Sequence, residues 1–151
     1  MGAGNTRRRG LDAVQTALSA RGARSVLAAG DLGGHHIVCS TPSGEWRLRV
    51  KTKSAGTWQD DTGNGAPATS DDADQVVWVY VDVAAEDPIF YVAPGWWAVN
   101  DIYTSHEEYL KRHGGRRALS PNSSHHAITQ SRVSEWRDRW DLLGLSPHPV
   151  A

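Results

Sequence analysis

The stretch Glu45-Trp-Arg-Leu-Arg-Val-Lys-Thr-Lys53 decides how the chain is organised. After Glu45, apolar residues or threonine alternate with basic residues at every position. Successive side chains of a β-strand point to opposite faces. The stretch therefore predicts a strand with one buried face and one wholly cationic face, which carries Arg47, Arg49, Lys51 and Lys53. Because like charges on one face repel, solvent, acidic side chains or an anionic ligand must lie beside them.

The composition is that of a soluble protein with a single domain. The chain has 151 residues, of which 39% are hydrophobic and 22% charged, which suffices for one hydrophobic core. No apolar run is long enough to cross a bilayer, and the first residues do not resemble a secretory signal. We expect a cytoplasmic protein without a membrane partner. Its expected parts are a flexible N-terminus at 1–7, one domain at 8–145 and a tail at 146–151.

Charge is distributed in three blocks along the chain. Residues 1–53 carry nine lysines and arginines and three acids. Residues 54–110 carry eleven acids and no lysine or arginine. Residues 111–151 carry seven lysines and arginines and three acids. Such blocks create an oriented field although the net charge is only −1. The two basic ends would either form one face for an anion such as nucleic acid or neutralise the acidic middle. The pattern fits both alternatives.

Hydrophobic periodicity and turn residues predict the order of the elements. They are a helix at 8–21, a hairpin at 35–53, strands at 75–83 and 89–93, a helix from 96 that stops at 114–115, and a last helix at 131–143. Residues 25–29 form either a short strand or an extended connection. Residues 54–75 and 116–130 are predicted loops, and the first is long enough to be mobile, a lid or a binding segment. The fold class is therefore α+β, with a single small sheet (the hairpin plus two further strands) and helices packed on it.

Several short stretches carry a resemblance to a known superfamily. The leading helix, the hairpin whose second strand contains Val50-Lys51-Thr52, and the valine-rich strand after it resemble the PD-(D/E)xK nucleases, which have the restriction-endonuclease-like fold. The stretches at 48–52, 56–59, 90–94 and 136–144 are similar to small bacterial members of this superfamily. The similarity covers roughly residues 5–145, and its motifs are short.

The resemblance implies a particular set of catalytic positions. Active members carry an Asp on the first hairpin strand, and an Asp or Glu two residues before a Lys on the second. The acids hold Mg²⁺, which activates water, and the Lys stabilises charge at the phosphate. Here Lys51 matches the Lys, whereas Arg49 and His36 stand at the acidic positions, which turns a cation site into an anion site. Cleavage would need relocated acids, namely Asp12 or Asp31, so the catalytic candidates are Lys51, Asp12 and His36.

The cationic face also suits the backbone of a nucleic acid, with DNA the favoured ligand. The predicted nucleic-acid-binding residues are Arg47, Arg49, Lys51, Lys53 and Trp58, the last by stacking on bases. An alternative of similar weight is that acids in the following loop neutralise the strand. Those acids are Asp60, Asp61, Asp71 and Asp72.

Histidine and cysteine positions argue against a metal centre or a cysteine nucleophile. His35 and His36 point to opposite faces of a strand, and the pair at 125–126 lies in a predicted loop. Without cysteine ligands or a recognised zinc spacing, loop and surface histidines are the simpler interpretation. Cys39 is the single cysteine, which excludes an internal disulfide, and we expect it to be a small core residue.

Three functions are compatible with these patterns. The first is a catalytically degenerate, nuclease-like domain that binds nucleic acid and needs no cofactor. The second is an active metal-dependent endonuclease, a phosphodiesterase that uses Mg²⁺. The third is a protein-interaction or immunity-type module with an acidic or basic protein partner, in which the acidic segment at 54–110 contacts a basic one. The basic residues at both acidic positions favour the first function.

Overall fold

The computed structural model describes residues 3–28, 36–114 and 125–149 and confirms the α+β class. The strands are β1 (Arg24–Ala28), β2 (His36–Thr41), β3 (Gly44–Lys53), β4 (Trp58–Asp61), β5 (Val76–Asp82), β6 (Ile89–Pro94) and β7 (His125–Ile128). The helices are α1 (Ala3–Ala20), α2 (Gly95–Arg112) and the short α3 (Gln130–Val133), with 3-10 turns at 62–64, 70–72, 134–136 and 140–143. No helix in these ranges combines the length and the apolar character needed to cross a bilayer.

Five strands form a mixed sheet in the order β1-β2-β3-β5-β6. Neighbouring strands are antiparallel except β3 and β5, which run parallel. β2 and β3 form the predicted hairpin, whose turn ends at Gly44 with a φ of 121° that favours glycine. Residues 24–28 are a strand at the sheet edge, so the extended connection is excluded. β4 and β7 pair with each other in a second sheet, so the prediction of a single sheet is wrong.

Apolar side chains fill both faces of the five-stranded sheet. On the face covered by α1, here called the α1 face, the core includes Leu11, Val14, Leu48, Val50 and Val79. On the opposite face, here called the α2 face, the core includes Trp58, Trp78, Tyr80, Ala98 and Ile102. Strand β5 contributes to both cores, since its residues 77–81 are all buried. The unbroken apolar run of β5 is typical of a strand that is covered on both faces.

Residues 54–75 form the crossover between the parallel strands β3 and β5 and carry regular structure. A parallel pair needs a long connection, because both strands enter the sheet from the same end. The connection contains β4, whose Trp58 is only 1% exposed. β4 pairs with β7, which lies in the second predicted loop. Each of these strands has four residues and a partner 64 to 70 positions away, so neither has a local sequence signal.

The predicted helix at 131–143 is interrupted at its centre. Asp138 has a φ of 53°, which an α-helix does not tolerate, and its N–H donates to the carbonyl of Phe90 in β6. The chain thus wraps around the edge of β6. Val133 belongs to the core of the α2 face, whereas Trp140 belongs to the core of the α1 face. The apolar spacing is helical, but the side chains fill two cores that one helix cannot reach.

Both ends of the described chain belong to the folded domain. α1 begins at Ala3, so residues 3–7, which were predicted to be flexible, are helical. The Arg21 guanidinium at the end of α1 donates to the carbonyls of Ser146 and Pro147, at 3.0 and 2.8 Å. The start of the predicted tail is therefore held against α1.

Candidate anion-binding site

The four basic side chains of β3 lie on the α2 face of the sheet. Residues paired directly across two strands point to the same face. Arg49 is paired with Trp78 and Lys51 with Tyr80, and both aromatic side chains belong to the core of the α2 face. The basic row consists of Arg47, Arg49, Lys51 and Lys53. Arg47 is exposed, whereas the three residues after it in the row are half-buried. The row therefore runs from the solvent-exposed part of the α2 face to the part that β4 covers.

Lys51 neutralises a buried acid. Its Nζ lies 3.5 Å from Oδ1 of Asp60, a residue of β4 whose side chain has no exposed surface. The same oxygen accepts hydrogen bonds from the Asp61 N–H at 2.8 Å and from Asn64 Nδ2 at 2.6 Å. A buried carboxylate without a cation would be costly. Internal neutralisation is thus confirmed for Lys51, and Asp60 provides it.

Lys53 is engaged in a similar way at the end of β3. Its Nζ lies 3.8 Å from Oδ2 of Asp82 and 4.5 Å from the ring centroid of Trp58, and it donates to the carbonyl of Gly56 at 2.9 Å. Asp82 is its direct partner on β5. An ammonium group has three donors, so these contacts leave little of it for a ligand.

Trp58 is a core residue rather than a platform for bases. Its side chain is buried, and its indole N–H donates to the carbonyl of Val81 at 2.9 Å. The ring packs edge-on against Tyr80 and Tyr91, with centroid separations of 5.6 and 5.7 Å. Stacking on a base needs an open ring face. The prediction that Trp58 contacts nucleic acid is therefore wrong.

His36 and Arg49 lie side by side on the α2 face, at the level between exposed Arg47 and half-buried Lys51. They are direct partners across β2 and β3. His36 is only 6% exposed, and the guanidinium carbon of half-buried Arg49 lies 5.0 Å from the ring centroid of Trp78. A planar guanidinium that lies over an indole is oriented before any ligand arrives. The pair is suited to a phosphate and unsuited to a cation.

The N-terminal end of the basic row faces solvent. Arg47 is exposed, and across the sheet it is followed by Val38 and by Val26, which is 62% exposed. Arg24 lies further along the same face and is exposed as well. Glu45 is the one acid that the described residues of β1, β2 and β3 place on this face. We define the basic patch as His36, Arg47 and Arg49.

Of the two predicted relocated acids, Asp12 does not reach Lys51. Asp12 is exposed on α1, which covers the α1 face, whereas Lys51 lies on the α2 face. The sheet separates the two side chains, so the prediction of Asp12 as a catalytic partner of Lys51 is wrong. Asp31, the other candidate, and His35 lie outside the described residues.

The side chains around Lys51 do not fit a divalent metal ion. Mg²⁺ prefers several oxygen ligands, whereas the basic patch offers an imidazole and guanidinium groups. The carboxylate of Asp60 is already neutralised by Lys51. Within 3–28, 36–114 and 125–149, no three His, Cys, Asp or Glu side chains are grouped to hold a metal. We therefore assign no metal-dependent step to this site.

A second polar cluster lies where β7 meets α2, and sequence spacing does not predict it. His106, His125 and His126 line a cleft of about 390 Å³. His126 is only 9% exposed, and its Nε2 lies 3.0 Å from a guanidinium nitrogen of Arg132, which forms an ion pair with Asp101. Burial, followed by the charge of Arg132, lowers the pKa of His126. The interpretation as a loop or surface histidine is therefore wrong for His126, which is a buried strand residue.

Cys39 is a core residue, as predicted. It is 1% exposed and belongs to the core of the α1 face. Burial raises the pKa of its thiol to about 11. Since the thiolate is the nucleophilic form, a thiol that stays protonated at neutral pH argues against a catalytic role.

Comparisons with protein-family models, with curated proteins and with solved structures find no match to this chain.

Proposed function

We propose that this chain is a nucleic-acid-binding domain related to the PD-(D/E)xK nucleases that holds a phosphate backbone without cutting it. The observation that carries the proposal is the pairing of Arg49 with His36 beside exposed Arg47. In the proposed relationship, these side chains stand at the positions where an active nuclease of that superfamily carries its metal-binding acids, which supports anion binding instead of metal binding. The order of helix, hairpin and valine-rich strand supports the restriction-endonuclease-like fold as part of the same proposal.

The basic patch binds phosphate through charge and through oriented donors. Guanidinium groups match phosphate oxygens in a two-pronged geometry, and contacts to the backbone carry affinity without reading sequence. Arg49 supplies a fixed guanidinium because it lies over Trp78. Arg47 supplies a second guanidinium on the solvent side. Lys51 and Lys53 keep the strand in place through their ion pairs and are not the main ligands.

Fluorescence anisotropy with a labelled DNA duplex over a series of salt concentrations tests this proposal. Each phosphate contact contributes about −0.9 to the slope of log K against log salt. We expect Arg47→Ala and Arg49→Ala to weaken binding and to make the slope shallower by about 1 each. Arg8→Ala removes an exposed arginine from α1 on the far side of the sheet and serves as the matched control. Equal losses in Arg8→Ala and Arg47→Ala, or no binding at low salt, would contradict the proposal.

Incubation of the same duplex with the protein and Mg²⁺ or Mn²⁺ tests the alternative of an active endonuclease. We expect intact DNA, because guanidinium and imidazole groups stand beside Lys51 where metal-binding acids are needed. Metal-dependent cleavage that disappears in Lys51→Ala, with the folded structure retained, would favour the alternative.

A further inference from the structure

Strand β1 lies at the edge of the five-stranded sheet. β1 pairs with β2 on one side, and among the described residues no strand pairs with the other side. Val26 and Leu27 are 62% and 55% exposed, although both are large and apolar. Proteins usually protect an edge strand with proline, a bulge or charged residues, and β1 has only Arg24 at its start. An unpaired, apolar edge of this kind is a template for another strand.

Helix α1 borders this edge with one of its faces. Two shallow grooves of about 560 and 910 Å³ lie between α1 and β1. Their linings from α1 include Gly4, Arg8, Leu11, Gln15 and Ser19. These positions are three or four residues apart, so they follow one face of the helix. The two grooves therefore follow one another along α1 and the edge strand, and together they are called the channel here.

The channel is basic at both ends. Arg7 and Arg8 line it beside Leu27, and Arg24 lines it at the other end. All three arginines are exposed. Asp12 is the single acid among the residues that line the two grooves. An occupant of the channel must therefore combine apolar side chains with acidic ones.

We propose that this channel binds an extended acidic peptide of another protein, which adds to β1 as a sixth strand. The peptide backbone pairs with the open edge, its apolar side chains cover Val26 and Leu27, and its acids meet the arginines. A second copy of this chain is a poorer occupant, because it would bring the same arginines against each other. A nucleic acid is a poorer occupant as well, since it lacks the alternating amide donors and acceptors that an edge strand pairs with.

The test uses a labelled synthetic peptide of repeated Val-Val-Glu-Glu, which presents both residue types on each face of a strand, measured by fluorescence anisotropy against the full chain. We expect saturable binding that is lost when alternate peptide amides are N-methylated or when lysine replaces glutamate. Leu27→Asp should weaken binding about tenfold or more, the effect of losing one buried leucine contact. Arg8→Glu should weaken it as well, and Lys111→Glu, an exposed charge reversal on α2, should not. Backbone amide resonances of β1 should shift in NMR spectra when the peptide is added.

Four results would overturn this inference. They are no binding at low salt, equal affinity for the N-methylated peptide, dimerisation of the chain that Leu27→Asp abolishes, and displacement of the peptide by DNA from the β1 edge. The outcome is separable from that of the nucleic-acid proposal. Arg47→Ala lies on the other face of the sheet from Leu27 and should weaken DNA binding while leaving peptide binding unchanged.

Discussion

Replacing Lys51 with methionine should destabilise the fold without a large direct effect on a ligand. The substitution leaves the Asp60 carboxylate buried and without its cation. Oδ1 of Asp60 still accepts hydrogen bonds from the Asp61 N–H and from Asn64 Nδ2. Oδ2 of Asp60 has no hydrogen-bond partner among the described residues. Breaking a fully buried pair costs about 3–5 kcal/mol. Because 23% of the Lys51 side chain is exposed and water screens part of the charge, we expect a loss of about 2–3 kcal/mol.

Urea denaturation followed by tryptophan fluorescence measures this loss as a lower midpoint at an unchanged m value. Arg47→Met is the matched control from the exposed end of the same row, and it should change the free energy of unfolding by no more than about 0.5 kcal/mol. In the double variant Lys51→Met/Asp60→Leu, part of the loss should return, because no buried charge remains. A Lys51→Met protein that is as stable as the wild type but no longer binds DNA would refute the structural role of Lys51.

Three further predictions concern backbone packing, pH and thiol reactivity. Gly10→Ala should destabilise the protein by about 1–3 kcal/mol in urea denaturation, because a Cβ there would overlap the Thr52 side chain. Gly4→Ala is the control, because a Cβ at that position has no other atom within 4 Å. It should stabilise the protein by about 0.5–1 kcal/mol. Since burial lowers the pKa of His126, the folded state takes up its proton less readily than the unfolded state. The free energy of unfolding should therefore fall as the pH drops below about 6.5, with a flatter dependence in His126→Gln. The Cys39 thiol should react with a disulfide reagent only as fast as the protein unfolds, and rapid reaction under native conditions would contradict its burial.

Local patterns predict those parts of the fold that local interactions determine. The apolar run of β5 predicts a doubly covered strand because all its side chains at 77–81 enter one of two adjoining cores. The turn before Gly44 predicts the hairpin because backbone geometry at that position favours glycine. These features need no knowledge of distant residues.

The errors have a common physical cause in distant contacts. β4, the strand that contains Trp58, has only four residues, which is too short for a sequence pattern to identify it. Its backbone is held in place by pairing with β7. The burial of Trp58 follows from that pairing, which is why a base-stacking role was predicted for a core side chain. The prediction of one helix at 131–143 is wrong for a related reason, because the apolar side chains of this segment pack into the cores on both faces of the sheet.

The sequence predicts where the candidate site lies, but it predicts only in part which of its basic side chains form ion pairs inside the protein. Alternation places four basic side chains on one face of β3, and the structure confirms that they share the α2 face. Acid partners for the strand are also predictable from the following loop, and Asp60 is one of them. Which half of the row stays open is not predictable, because the cover over Lys51 and Lys53 comes from elements that were not recognised as regular structure. The division of the row into ion-paired lysines, half-buried Arg49 and exposed Arg47 is therefore a result of the fold.

Mapping of a DNA duplex onto the isotope-labelled protein by NMR tests the central claim most directly. We expect salt-sensitive shifts centred on the backbone amides of His36, Arg47 and Arg49, with smaller changes around Lys53. Shifts centred on α1, or an unchanged spectrum at low salt, would contradict the assignment of the basic patch as a phosphate-binding surface.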